Sequence, residues 1–137
     1  MNRLFVWGVA VSLLGMSQAA IADEMPNMVG TWKGNYTGVH VGATPYRKAE
    51  TGVHFGKEIE FVLVIAEQHG RDFAGELKVG KKTETVIGSI QPDNKGGIML
   101  DNDGQYFFTI VDSNSIDNCY LHTTPSSKVT GCARMTR

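Results

Sequence analysis

The sequence predicts an all-β domain, an eight-stranded antiparallel up-and-down (meander) barrel, and three observations predict it. Segment after segment alternates apolar and polar residues at period two, as strands with one buried face do. Gly, Asn, Asp and Pro punctuate those segments at the short intervals that hairpin turns require. No stretch after residue 22 carries helical periodicity. An open meander of eight strands would leave two long bare edges, and closure into a barrel removes them.

The first residues belong to a different class. Met1-Asn2-Arg3 precedes an apolar run from Leu4 to Met16, followed by small and polar residues ending in Ala20-Ile21-Ala22, the pattern of a secretory signal peptide over 1–22. The run is shorter than the about 20 apolar residues a membrane-crossing helix needs, so no membrane span is expected after signal removal. Taking 22 residues from 137 leaves 115, one ordinary domain, and the loss of Arg3 moves the formal net charge from −1 to −2. That balance offers no electrostatic case for nucleic acid or an anionic membrane. The expected address is the periplasm or the exterior. Residues 23–27, polar and containing Pro26, read as a flexible lead-in to a barrel domain over 28–137.

Each strand has its own warrant. Met28–Thr37 sets Trp32, Gly34 and Tyr36 on one side, with Thr31, Lys33, Asn35 and Thr37 opposite. Lys57–Gln68 aligns Ile59, Phe61, Leu63 and Ile65 and is the strongest strand pattern in the chain. After Gln68-His69-Gly70-Arg71-Asp72, the residues Phe73, Gly75, Leu77 and Val79 continue that apolar face. Gly80-Lys81-Lys82 turns into Thr83–Gln91, where Val86 and Ile90 share a side with Gly88. Pro92-Asp93-Asn94-Lys95-Gly96 leads to Gly97–Asp101, with Ile98 and Leu100 aligned. Asn102-Asp103-Gly104 suits a three-residue hairpin loop whose glycine takes the left-handed position. Gln105–Asp112, Ser115–Thr123 and Ser127–Thr136 complete the meander through turns at Ser113-Asn114 and Pro125-Ser126.

Cys119 and Cys132 are the chain's two cysteines, and an exported address makes a disulfide the default. A hairpin centred on Pro125-Ser126 sets Cys119 opposite Cys132 at a non-hydrogen-bonded pair, where side chains approach most closely. Such a bridge is structural.

Gly30-Thr31-Trp32 on the first strand, the eight-strand meander and the terminal Thr136-Arg137 resemble the calycin barrels, the avidins and lipocalins. In that group a tryptophan closes one barrel end and an arginine of the last strand packs over it; the resemblance implies that role for Trp32, with Arg134 and Arg137 as candidates. Guanidinium over indole is favourable in its own right. The several tryptophans of the avidin ligand site have no counterpart besides Trp32 after processing, so biotin binding is not implied. The closing run Asn118–Arg134 also resembles small exported bacterial proteins of unassigned function, which implies an address and no chemistry.

The segment from Gly38 to Gly56 stands out. It repeats Gly38-Val39-His40-Val41-Gly42 as Gly52-Val53-His54-Phe55-Gly56, with Thr44-Pro45-Tyr46-Arg47-Lys48 between. As a loop it exceeds the usual limit of about 12–15 residues, a length typical of lids and binding loops. As a hairpin extension it sets His40 opposite His54. That register places Trp32 beside Val62, whereas the core face of the next strand is the Ile59–Phe61–Leu63 set; a bulge at Gly34, Gly38 or Gly56 must then correct the phase.

His40, Tyr46, Arg47 and His54 are the candidate ligand-binding residues. His40 and His54 with a glutamate fall short of a specified metal set, since catalytic zinc takes three protein ligands; no metal and no cofactor is expected. Glu58 and Glu60 share a strand with no nucleophile nearby in sequence, so no catalytic residue is assigned and no enzyme is expected. The sequence points to an exported binding barrel for a small apolar ligand at its mouth. The alternative is a protein–protein interaction module, an inhibitor or envelope partner, using the barrel wall or the 38–56 loop. Val62, Val64, Val86, Ile90, Phe107 and Val111 fall outside a one-sided core, which points to a homo-oligomer through the barrel wall.

Overall fold

The computed structural model of the protein describes residues 24–43 and 51–137. Residues 1–22, expected from the sequence to be a signal peptide, and Tyr46 and Arg47 lie outside those residues. Nine strands follow one another: β1 (Gly30–Val41), β2 (Val53–Phe55), β3 (Ile59–His69), β4 (Asp72–Val79), β5 (Lys82–Ile90), β6 (Gly96–Leu100), β7 (Gln105–Asp112), β8 (Ser115–Thr123) and β9 (Lys128–Thr136). From β3 to β9 each pairs with the next, β1 pairs with β3, and β1 with β9 closes an eight-stranded antiparallel barrel. β2 is a short ninth strand on the upper end of β1.

The phase conflict in the first hairpin resolves by an offset of one residue. β1 pairs with β2 through His40↔His54, and with β3 through Trp32↔Leu63, one step out of that register. Gly56 still follows the upper register, donating its N–H to the Gly38 carbonyl at 2.7 Å. The extra residue therefore falls between Gly56 and Ile59, which lets the histidine pairing and the Ile59–Phe61–Leu63 core face coexist.

Closure needs β1 and β9 to approach tightly. A Cβ on Gly34 would sit 2.6 Å from the Arg134 carbonyl oxygen, so only glycine fits there. The last hairpin keeps one register throughout, with Cys119 opposite Cys132, their Cα atoms 4.0 Å apart and their sulfurs bonded.

One buried cluster fills the lower and middle barrel, from Met28 and Trp32 through Leu63, Ile65, Phe73, Met99 and Phe108 to Ile116 and Met135. Val86 and Ile90 belong to this core, at 1% and 2% exposure, and are corrected from the outer wall to the interior. The alternation on β5 places them on the inward parity with Gly88, where a Cβ would meet the Phe73 ring at 2.3 Å.

Two local expectations change. Residues 24–27 are tied down: the Gln68 side chain donates to the Pro26 carbonyl at 2.9 Å, and Met25 packs on the core. The β6–β7 loop is Asp101–Gly104, and Gly104 is absent from the positive-φ glycines. The Asp101 carboxylate instead accepts the Asp103 and Gly104 N–H groups at 3.1 and 2.7 Å. Glycine is required at 104 for space, since a Cβ would lie 2.2 Å from the Tyr120 ring.

Candidate functional site

The inward face changes chemistry with height. At the base, the Trp32 indole N–H donates to the Met28 carbonyl at 2.9 Å, and the Arg137 guanidinium lies 4.5 Å from the ring centroid. Arg137 also donates to the Asn27 and Val29 carbonyls, both at 3.0 Å, and to the Ser113 carbonyl. Arg134 has outward parity on β9; there it holds Asp117 of β8 at 2.7 and 2.8 Å and does not touch Trp32. Of the two arginines considered for the plug, the geometry assigns the role to Arg137.

Halfway up, Tyr36 stacks on Phe61 with ring centroids 4.3 Å apart, and the Asn118 amide donates to the Tyr36 hydroxyl at 2.6 Å. Burial pushes the Tyr36 phenol well above its ordinary range, and the Asn118 hydrogen bond draws it partly back.

The upper third mixes apolar and polar side chains, with Leu77 opposite Glu84 and Val79 buried beyond it. Glu84 from β5, Tyr106 from β7, and Tyr120 and His122 from β8 are buried at inward positions, and Asp101 and Asp103 reach in from the β6–β7 loop. Glu84, Asp101 and Asp103 each bring a carboxylate oxygen to within 4.8 Å of the others. The Tyr106 hydroxyl donates to Asp101 at 2.8 Å and the Tyr120 hydroxyl to Asp103 at 3.0 Å, with the two rings 4.8 Å apart. Burial first, then the Asp101 charge and its hydrogen bond, push the Tyr106 phenol far up, so it stays a neutral donor. The three carboxylates supply hard oxygen donors of the kind that divalent cations take, but two already accept tyrosine hydrogen bonds and calcium takes about six to eight such ligands.

His122 joins this loop to the last hairpin. Its Nδ1 lies 2.7 Å from the Asp103 carbonyl oxygen and so carries the proton, leaving Nε2 to accept the Ser127 hydroxyl at 2.9 Å. Serine, histidine and aspartate stand here in the order of a nucleophilic triad. The turn that holds them argues otherwise. Thr124 Oγ1 accepts the Ser126 and Ser127 N–H groups at 3.3 and 3.0 Å, which removes the donors an oxyanion hole would use. The Ser127 hydroxyl is itself 2.8 Å from Thr124 Oγ1 and buried. The trio is a staple for the β8–β9 turn.

Of the residues singled out from sequence, His40 and His54 come together, their rings 5.4 Å apart on paired positions of β1 and β2. His40 is buried, and His54 sits at the edge with Nε2 2.9 Å from the Thr51 carbonyl oxygen. Glu84, Asp101, Asp103, Tyr120 and His122 were not singled out, whereas Tyr106 is one of the aromatics that could line a cavity. A signal for some of them exists: Glu84 shares the parity of Val86 and Ile90, and His122 that of Ile116 and Tyr120, so each is a polar residue on a core-facing position. Asp101 and Asp103 look like ordinary turn residues, and only the closed barrel brings them inward.

Neither a protein-family model nor a curated protein matches the chain. Among solved structures, an S-type phycobiliprotein lyase from Guillardia theta is similar at 11% identity, over 80% of this chain and 88% of that one, with a TM-score of 0.40. A likeness that distant carries no statement about chemistry.

Proposed function

We propose that this protein is an exported, non-enzymatic binding barrel whose site is the polar mouth. The observation that supports this most is the burial of Glu84, Tyr106 and Tyr120 at inward positions above an apolar plug. A barrel needing only stability would fill those positions with aliphatic side chains, because buried polar groups are costly unless paired. Carboxylates beside tyrosine faces favour a small ligand carrying a cationic or hydrogen-donating group on an apolar body. This extends the apolar ligand expected from sequence, since acidic and aromatic groups join Leu77 and Val79 in the mouth. His40 and His54 are proposed to form the rim, and Tyr46 and Arg47 are kept as proposed ligand-binding residues on the strength of the sequence. The signal pattern and the Cys119–Cys132 bridge both accord with export.

Native mass spectrometry of protein purified from its host tests the reading. The expected result is a small-molecule adduct that is lost in Glu84→Gln or Asp103→Asn protein. A bare mass, together with no change in melting temperature across a panel of small amines, would refute it.

A further inference from the structure

The outer wall of β5–β8 carries a second surface, independent of the mouth. Ile87, Ile98, Leu100 and Phe107 point outward at 55%, 44%, 44% and 49% exposure. They are cross-strand neighbours, with Ile87 opposite Leu100 and Ile98 opposite Phe107, so they form one continuous patch. Contiguous exposed apolar surface of this kind marks association.

Its shape and charge narrow the partner. Beside the Phe107 ridge runs an open groove of about 370 Å³ between Ala74, Ile87, Ser89, Ile98 and Leu100, with Glu67, His69 and Asp72 at its lower end. A cavity of about 150 Å³ takes a benzene ring, so a phenylalanine side chain fits such a groove. Within the four strands, Asp117 is the charged residue at an outward position between the rims, and Arg134 already holds it at 2.7 Å. The neighbouring β3–β4 wall exposes Glu60, Glu67, Glu76 and Lys78. An uncharged wall can meet its own copy in any orientation without bringing like charges together, whereas a wall rich in one sign cannot.

We propose that the partner is a second copy of this chain, docked across a two-fold axis, with Phe107 of each copy seated in the other's groove beside Ser89. Knob and groove lie on the same patch, the self-complementarity a two-fold contact requires. A wall four strands wide at about 4.8 Å and seven residues long at about 3.3 Å covers roughly 440 Å² before side-chain relief. A standard interface buries about 800 Å² per partner, so this contact is a small one and belongs with weak, transient dimers.

Sedimentation velocity through the micromolar range tests this with a charge swap. Phe107→Glu and Ser89→Arg are each expected to be monomeric and to keep the wild-type circular dichroism and the melting temperature of dilute protein. Mixed together, they are expected to form a heterodimer, because one contact then pairs the introduced glutamate and arginine while the other stays native. Wild-type protein that remains monomeric overturns the proposal. So does a dimer that survives Phe107→Glu, or a mixture that stays monomeric.

Discussion

The two ends of this barrel are built by opposite rules. The base is a closed plug in which Trp32, Met28 and Met135 are each about 1% exposed and Arg137 lies across the indole. The mouth buries Glu84, Tyr106, Tyr120 and His122 at inward positions of β5, β7 and β8. The difference teaches where each end spends its stability. At the base, burial of apolar surface is the gain and every polar group is a short-range accessory to it. At the mouth, desolvation of polar groups is a cost, recovered only in part through the hydrogen bonds of Asp101, Asp103 and His122.

The largest test of that contrast is Trp32→Ala, expected to lose about 3–5 kcal/mol in urea unfolding through the cavity left at the base. A loss below about 1 kcal/mol would show that the plug is not the core's anchor. Replacing Cys119 and Cys132 together by alanine is expected to cost about 2–4 kcal/mol by releasing the last hairpin in the unfolded chain. Comparing unfolding with and without a reductant measures the same quantity.

Alkali tests the buried phenols. Tyr36 and Tyr106 have raised folded-state values, so their contribution is fully present below the unfolded tyrosine value near 10.0. Above it the unfolded chain ionises first and stability falls as pH rises toward the folded values. Unfolding midpoints measured between pH 8 and pH 11 should drop at the upper end, and Tyr106→Phe and Tyr36→Phe should each flatten the drop.

Arg137→Ala is expected to cost about 1 kcal/mol, from the lost indole contact and carbonyl hydrogen bonds. Arg134→Ala should move the midpoint little, since its ion pair with Asp117 is half-exposed and screened by solvent. Equal effects of the two would break the assignment of the plug to Arg137. Asp103→Asn, isosteric and still able to accept from Tyr120, is also small in stability, at under about 1 kcal/mol. The same substitution should remove the ligand adduct, so the base variants lose stability and the mouth variant loses binding.

Much of this contrast is legible in the residues. Period-two alternation is a local property, so the strand faces on 57–68, 73–79 and 115–123 follow from the sequence directly, and hairpin turns propagate register far enough to set Cys119 opposite Cys132. The same reasoning misplaced Val86 and Ile90 among the wall residues, although their parity with Gly88 already marked the interior. It also passed over Glu84 and His122, because a polar residue on a core-facing position reads as noise until its partners are known.

Within this chain, then, the sequence by itself determined the eight barrel strands, most of their faces and the disulfide, since each rests on neighbours a few residues away or on one hairpin. The tryptophan at one end was implied by the resemblance to calycin barrels. Only the tertiary structure decided that Arg137 and not Arg134 covers Trp32, that one extra residue after Gly56 reconciles the two registers, and that Asp101 and Asp103 meet Glu84. Those facts depend on closure of β1 against β9, which brings together side chains from strands whose relative height no local pattern encodes.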